Sequence, residues 1–300
     1  MVESIEQIIT IMVSIAYITL SERKIMGGMQ RRVGPNKIGK EGIIQPIIDG
    51  IKLITKELII PIRVWTKEML IGPITILILT LIIWIPIPLS LGVMIGEGKY
   101  SIIYILAISS INVYLYIYSG WSTQSKYGRL GTIRSIAQLI SYEVSISIII
   151  MSIISINKTY NINEIITSQI YIPNIIPLGP IGIIYYISIL AETNRTPFDL
   201  PEAESELVAG YIIEYSSIGF GSIYLSEYGF ILVNSYIYAT ILIGTIVPII
   251  TTIIIYGFIY IRALLPRLRY DQLMTLGWTR ILPISITNII IVISYTYIIP

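Results

Sequence analysis

The chain has 300 residues, 54% of them hydrophobic and 13% charged, with a net charge of +2 and a mean hydropathy of +0.79. A soluble domain carries about 25% charged residues, and the apolar excess here comes in long runs, so the composition points to an integral membrane protein. Cys and His are both absent, which excludes disulfides, thiolate-held iron–sulfur clusters, zinc–thiolate sites and imidazole acid–base chemistry. Proton chemistry must therefore fall to Asp, Glu, Lys or Tyr. The heavy use of Ile, Tyr and Asn fits AT-rich codons and an organellar or AT-biased genome.

In chain order, the first apolar run starts within five residues of Met1, after two acids rather than a basic stretch, so no cleavable signal is expected. A span needs about 17–25 apolar residues. Eight segments qualify, at about 4–20, 71–92, 101–119, 136–156, 174–191, 227–245, 247–263 and 281–299. The expected fold is an all-α integral membrane protein with eight transmembrane helices, a single membrane domain over 1–300. The longest polar stretches are 21–70 and 192–226. If eight helices alternate, eighteen of the twenty Lys and Arg fall on one side, leaving only Lys99 and Lys158 opposite. Both termini then lie on the base-poor side.

The first polar stretch begins with SERKIMGGMQRRVGPNKIG, a cationic loop rich in glycine. It reads either as an orientation signal touching anionic lipid or as the wall of a site for a ligand with a polar head and an apolar tail. Next, GIIQPIIDGIKLITKELIIPI carries Ile43, Ile44, Ile47, Ile48, Ile51, Ile54 and Leu58 at helical spacing, with Asp49, Lys52, Lys56 and Glu57 mostly on the other face. This predicts an amphipathic helix, either in the interface plane or packed on the bundle.

Glu143 lies inside the fourth segment, IAQLISYEVSISIIIMSII. A charge there costs ~3 kcal/mol or more on insertion scales, so such a group faces protein or water and marks function by default. The structural alternative, neutralisation by Arg134, must bridge nine residues.

The stretch ETNRTPFDLPEAESELV gathers Glu192, Asp199, Glu202, Glu204 and Glu206 within fifteen residues, against Arg195 alone. Glu214 and Glu227 follow. Asp199-Leu-Pro-Glu202 has the form of a helix N-cap box, predicting a helix from about Leu200 to Ser217. Solvated capping acids are the plain reading. The apolar, aromatic ESELVAGYIIEY argues instead for half-buried carboxylates, which raise one another's pKa and can pass protons. A last cationic loop, RALLPRLRYDQLMTLGW, suits lipid anchoring or docking of a peripheral subunit. No nucleotide-binding glycine loop follows a strand.

Six stretches in order, ERKIMGGMQRRVGPNKIG, GIIQPIIDGIKLITKE, SKYGRLGTIRSIAQLISYE, ETNRTPFDLPEAESELVAGYIIEY, SEYGF and RALLPRLRYDQLM, resemble the family of subunit 1, the membrane heel subunit of respiratory NADH:quinone oxidoreductase (complex I). The resemblance covers nearly the whole chain. It implies a subunit of the H+-translocating NADH:ubiquinone reductase, without a redox centre or activity alone. The chain would form much of the tunnel for ubiquinone, a substrate at a shared site, and itself bind no metal, flavin or iron–sulfur cluster. Arg23, Arg32, Asp49 and Phe198 match the tunnel. Glu143, Glu192, Glu202, Glu204, Glu206, Glu214 and Glu227 match the family's proton path. The implied partners are the hydrophilic quinone-site subunits, the antiporter-like membrane subunits and membrane lipids including cardiolipin, with no nucleic acid. The implied location is the mitochondrial inner membrane, with a bacterial plasma membrane as the alternative. Two departures stand out: Ala203 replaces the family's usual Gly, and the loop between helices six and seven is short.

Three other readings compete. A proton-coupled transporter would often show two related halves, and the acidic pattern does not recur in the first half. The membrane subunit of an energy-converting hydrogenase would lack the full first-loop and RYDQLM motifs. A purely structural anchor would tolerate Gln at the glutamates.

Overall fold

The computed structural model describes residues 2–61, 66–88, 96, 98–200, 210–244 and 248–298. Among the described residues there is no strand. The helices are α1 Val2–Met29, α2 Gln45–Thr55, α3 Thr66–Ile82, α4 Ser101–Ser122, α5 Lys126–Asn157, α6 Ile162–Ser168, α7 Gly179–Glu192, α8 Ser217–Tyr238, α9 Pro248–Leu264 and α10 Tyr270–Ile298. A π turn, Ala239–Ile243, continues α8, and a second, Leu276–Ile281, interrupts α10. Among the described residues α4, α5 and α10 are long and apolar enough to cross a membrane, while α7 and α9 are apolar but shorter.

Helices are what such a sequence must form, because a bilayer offers backbone groups no water to bond. Buried serines fit this rule locally. Ser119, Ser145, Ser152, Ser188 and Ser235 each donate to the carbonyl three residues earlier, so none needs a partner on another helix. Glycines set the closest approaches. A Cβ on Gly120 would fall 1.6 Å from Thr132 Cγ2, and one on Gly131 would lie 3.0 Å from Gly210 Cα. Small residues let α4, α5 and the Gly210 turn meet at backbone distance.

Among the described residues, the buried apolar side chains form two cores. The larger joins Ile15, Trp84, Tyr142, Ile149, Tyr185, Phe230 and Ile281 with many others. The smaller joins Met69, Ile76, Val113, Tyr116, Leu139, Tyr211, Ile212, Tyr215 and Ile223. The polar site described below lies on the seam between them.

Three sequence expectations are corrected. The sixth apolar segment was expected at 227–245, but α8 starts at Ser217, so residues 217–226 are helix and not part of an acidic loop. The helix expected from Leu200 to Ser217 does not arrive there. Residues 201–209 lie outside the described residues; Gly210–Ile212 is a single 3-10 turn, with Gly210 at φ +57°. The contact with Gly131 and burial of Tyr211, Ile212 and Tyr215 in the smaller core hold this non-helical path. Finally, α1 runs on to Met29, well into the stretch expected to be loop.

The amphipathic helix is present as α2. None of its residues is buried, and Ile47, Ile51 and Ile54 are 56%, 55% and 69% exposed. Its apolar stripe points away from the bundle. The attachment is polar: Ser217 Oγ donates to the carbonyls of Leu53 and Lys56, both at 2.8 Å, and Ile59 N donates to Ser216 Oγ at 2.9 Å. At the far end of α8, the π turn is satisfied from outside. Gln169 Nε2 donates to the carbonyls of Thr240 (3.2 Å) and Ile241 (3.0 Å), and Asn174 Nδ2 donates to Ile241 O at 2.9 Å.

Candidate functional site at the seam between the two cores

The turn after α7 is fixed by α5. Gln138, fully buried, donates from one Nε2 to the carbonyls of Ala191 (2.8 Å) and Phe198 (2.9 Å). Leu268 N donates to Pro197 O at 3.0 Å, tying the turn to the segment before α10. Phe198 is buried with its ring 6.2 Å from that of Tyr142. This frame delivers Arg195 to α8. Its guanidinium carbon lies 4.2 Å from the centroid of the Tyr228 ring, and its Nη2 is 3.7 Å from Glu227 Oε2. Tyr211 donates its hydroxyl to Glu227 Oε1 at 3.0 Å.

Glu143 of α5, Glu192 at the end of α7 and Glu227 of α8 line one cavity of ≈ 20 Å³ together with Ser109, Asn112, Tyr116 and Thr193. That is room for about one water. A second cavity of the same size is lined by Glu143, Glu192, Ser109, Tyr185 and Asn234. Asn234 Nδ2 donates to Glu192 Oε2 at 3.1 Å. Among the described residues neither Glu143 nor Glu192 forms an ion pair. Helical packing thus brings three acids, far apart in sequence, onto a shared polar space.

Glu22, which was not singled out in the sequence, forms a further cluster. It is buried (4% exposed), is paired with Arg262 of α9, and accepts from the Tyr228 hydroxyl at 2.5 Å. The signal was readable: Ile11, Ile15, Ile18 and Glu22 follow helical spacing, and the three isoleucines are buried. Tyr228 then joins the two clusters, with its hydroxyl on Glu22 and its ring under Arg195.

Outside, Arg23 donates to Asp49 Oδ2 at 2.8 Å, and Gln45 donates to Asp49 Oδ1 at 2.8 Å. Arg32 donates to Gln30 Oε1 and lines an open cleft of ≈ 410 Å³ with Lys24, Gly34, Asn36 and Glu41. Glu214 is half-buried in the turn after Gly210–Ile212 and does not line the glutamate cavities. Glu202, Glu204 and Glu206 lie outside the described residues. Burial pushes the Tyr215 phenol up to about 12, so it keeps its proton and donates to Ser119 O at 2.8 Å.

These features define an all-helical chain with membrane-length apolar helices and ionisable groups gathered along an interior seam. The chain belongs to the NADH dehydrogenase family, whose pattern it matches over residues 3–293. It is 43% identical over 309 residues to NADH-ubiquinone oxidoreductase chain 1 of Chondrus crispus, covering 97% of this chain and 95% of the relative. It is 45% identical over 303 residues to the protein of the same name from Dictyostelium citrinum, covering 99% and 94%. To a bacterial relative, an NADH-quinone oxidoreductase subunit of Rickettsia typhi, it is 43% identical over 308 residues, covering 96% and 91%. These names favour the quinone enzyme over the hydrogenase and transporter readings.

Proposed function

We propose that this chain is the core membrane subunit of a proton-pumping NADH:ubiquinone oxidoreductase of the mitochondrial inner membrane. It guides ubiquinone from the bilayer and links its reduction to protonation of buried glutamates. Eight helices, α1, α3, α4, α5, α7, α8, α9 and α10, cross the bilayer. This topology is supported by the overlap of each with an apolar segment and by the one-sided distribution of Lys and Arg. Residues 21–70 form the quinone-side rim, with α2 in the interface plane, and the segment after α7 carries the acids towards α8. The partners are the hydrophilic subunits that deliver electrons, the antiporter-like membrane subunits, and lipids.

The observation that carries this reading is the meeting of Glu143, Glu192 and Glu227, from three helices, on one cavity. A structural anchor gains nothing from gathering three carboxylates in a low-dielectric interior, where only Glu227 has an ion-pair partner among the described residues. Reducing a quinone adds two electrons and takes up two protons. Arg23, Arg32 and Arg195 favour a negatively charged head group on its way to the quinol. Arg195 sits against both the Tyr228 ring and Glu227, so a change in its position alters the charge Glu227 can hold. Coulomb terms between such groups reach several kcal/mol in a partly dry site. The effect passes through Glu227 and Glu192 to Glu143.

Two experiments test the reading in the intact complex. Glu143→Gln should leave electron transfer from NADH to an artificial acceptor unchanged and lower proton pumping by roughly tenfold or more; unchanged pumping removes the proton path. A photoreactive quinone should label residues 21–60 or 192–230, and labelling confined elsewhere removes the tunnel.

A further inference from the structure

We propose that Asn112 is a positioning residue of the glutamate path: its side-chain oxygen holds a water molecule in the cavity between Glu143, Glu192 and Glu227, and that water carries the proton between them. The inference rests on the proton-path reading above and deepens it.

Asn112 lies on α4, which among the described residues is the one helix at the cavity that contributes no acid to it. It is 6% exposed, and its Oδ1 accepts no hydrogen bond among the described residues. A buried amide oxygen without a donor is destabilising, so the position calls for a reason. The oxygen belongs to a side chain lining the ≈ 20 Å³ space that the three carboxylates also line. A space of that size and polarity suits one water, which needs two to four polar partners. Asn112 Oδ1 accepts one hydrogen from the water. The other hydrogen points to one carboxylate, and the water oxygen accepts from a protonated neighbour. Transfer is balanced: the water takes a proton from one carboxylic acid and gives a different proton to the next carboxylate, and nothing is oxidised or reduced. An amide oxygen serves this purpose better than an acid, because it orients the water without itself titrating.

The rest of the wall agrees with this division of labour. Ser109 lines both cavities, yet its hydroxyl is engaged with Leu106 O at 2.9 Å. Thr193 donates its hydroxyl to Leu190 O at 3.2 Å, and Val113, Tyr116, Leu139 and Phe230 supply the remaining apolar or bulky surface. The Asn112 oxygen is thus a neutral acceptor left for a water at this point.

The test compares two variants that both remove the carboxamide but change the cavity oppositely. Asn112→Ala leaves room for further water; Asn112→Leu fills and dries the space. Each is made in the intact complex, with assembly followed by the rate from NADH to an artificial acceptor. Proton pumping and the solvent deuterium isotope effect on quinone reduction are then measured. The expected result is that Asn112→Leu lowers pumping roughly tenfold or more and Asn112→Ala lowers it less than about threefold, with an isotope effect larger than that of the unchanged protein. Equal losses in both variants overturn the proposal, because they mark the amide as structural. Wild-type pumping in Asn112→Leu overturns it as well. Should Asn112→Leu fail to assemble, Asn112→Val, closer in volume to Asn, carries the same comparison; failure of both marks the residue as structural and overturns the inference. Glu192→Gln, measured alongside, separates the two levels. If it pumps normally, the proton path itself is wrong; if it fails while Asn112→Leu pumps, only the water site is wrong.

Discussion

Glu22 and Arg23 are neighbours on α1, and each forms an ion pair, but the two pairs live in different solvents. The Glu22 side chain is 6% exposed and its partner Arg262 is 29% exposed, whereas Arg23 is 53% and Asp49 31% exposed. One residue of helical rotation, about 100°, separates the interior seam from the rim. The inner pair is desolvated and shares Tyr228 with the Arg195–Glu227 cluster, so it responds to charge nearby. The outer pair is screened and positions α2 against α1 at little energetic consequence. The same chemical contact therefore serves coupling in one place and local docking in the other.

The sharpest way to break this contrast is to remove one partner of each pair. Arg262→Leu leaves Glu22 buried without its cation and should destabilise the complex by about 3–5 kcal/mol, read as loss of assembled enzyme or a lowered thermal midpoint. Adding Glu22→Gln should recover much of that loss, since both charges are then gone; no recovery would mean Arg262 acts elsewhere. Next in size, Gly120→Ala forces a Cβ into Thr132 Cγ2 and should cost about 1–3 kcal/mol by overpacking. Thr132→Gly in the same chain should recover more of the loss than Thr132→Ala, which keeps a Cβ 2.8 Å from the new one, a double-mutant check on the α4–α5 contact. Gln138→Leu strips the carbonyls of Ala191 and Phe198 of a shared donor and should cost about 1–3 kcal/mol. Because that donor frames Arg195, the quinone rate should fall more than assembly does; equal falls would assign Gln138 to folding alone. The smallest effect is expected at the rim. Arg23→Gln should change stability by under about 1 kcal/mol, with the difference fading as salt is raised. A loss as large as that of Arg262→Leu would erase the distinction between the two pairs.

What could be read in advance follows the same division between lipid and protein surroundings. Hydropathy found the apolar stretches of α4, α5 and α10, although α5 and α10 begin at Lys126 and Tyr270, before the expected 136 and 281. It misplaced α8, whose opening SIGFGSIYLSE is rich in Gly and Ser. Most of α8 is buried, from Ser217, Gly219 and Gly221 to Asn234 and Ser235. A helix enclosed by protein needs small residues for close packing rather than oil, so it is faint to any scale tuned to lipid. Glu143, Glu192 and Glu227 could be suspected one by one, as acids in apolar company. Their convergence could not, since it depends on which helices adjoin. Glu22 is faint for a plainer reason: it abuts the bases Arg23 and Lys24 at the edge of the cationic stretch, although the stripe Ile11, Ile15, Ile18 fixes its face. The two π turns left no mark in periodicity, because one extra residue in a turn is smaller than the resolution of a hydropathy window.

Ser217 joins the rim to the interior. Its backbone sits at φ +51°, a conformation that costs a non-glycine residue about 1–3 kcal/mol, while its hydroxyl closes the last turn of α2 by reaching two carbonyls. The joint therefore works like a catch under load, with hydrogen bonds opposing the strain of the residue that makes them. Such a catch lets go early. Amides at the end of α2 and the start of α8 should exchange with deuterium together, sooner than those at the centre of α5, and lipid against Ile47, Ile51 and Ile54 should slow that release.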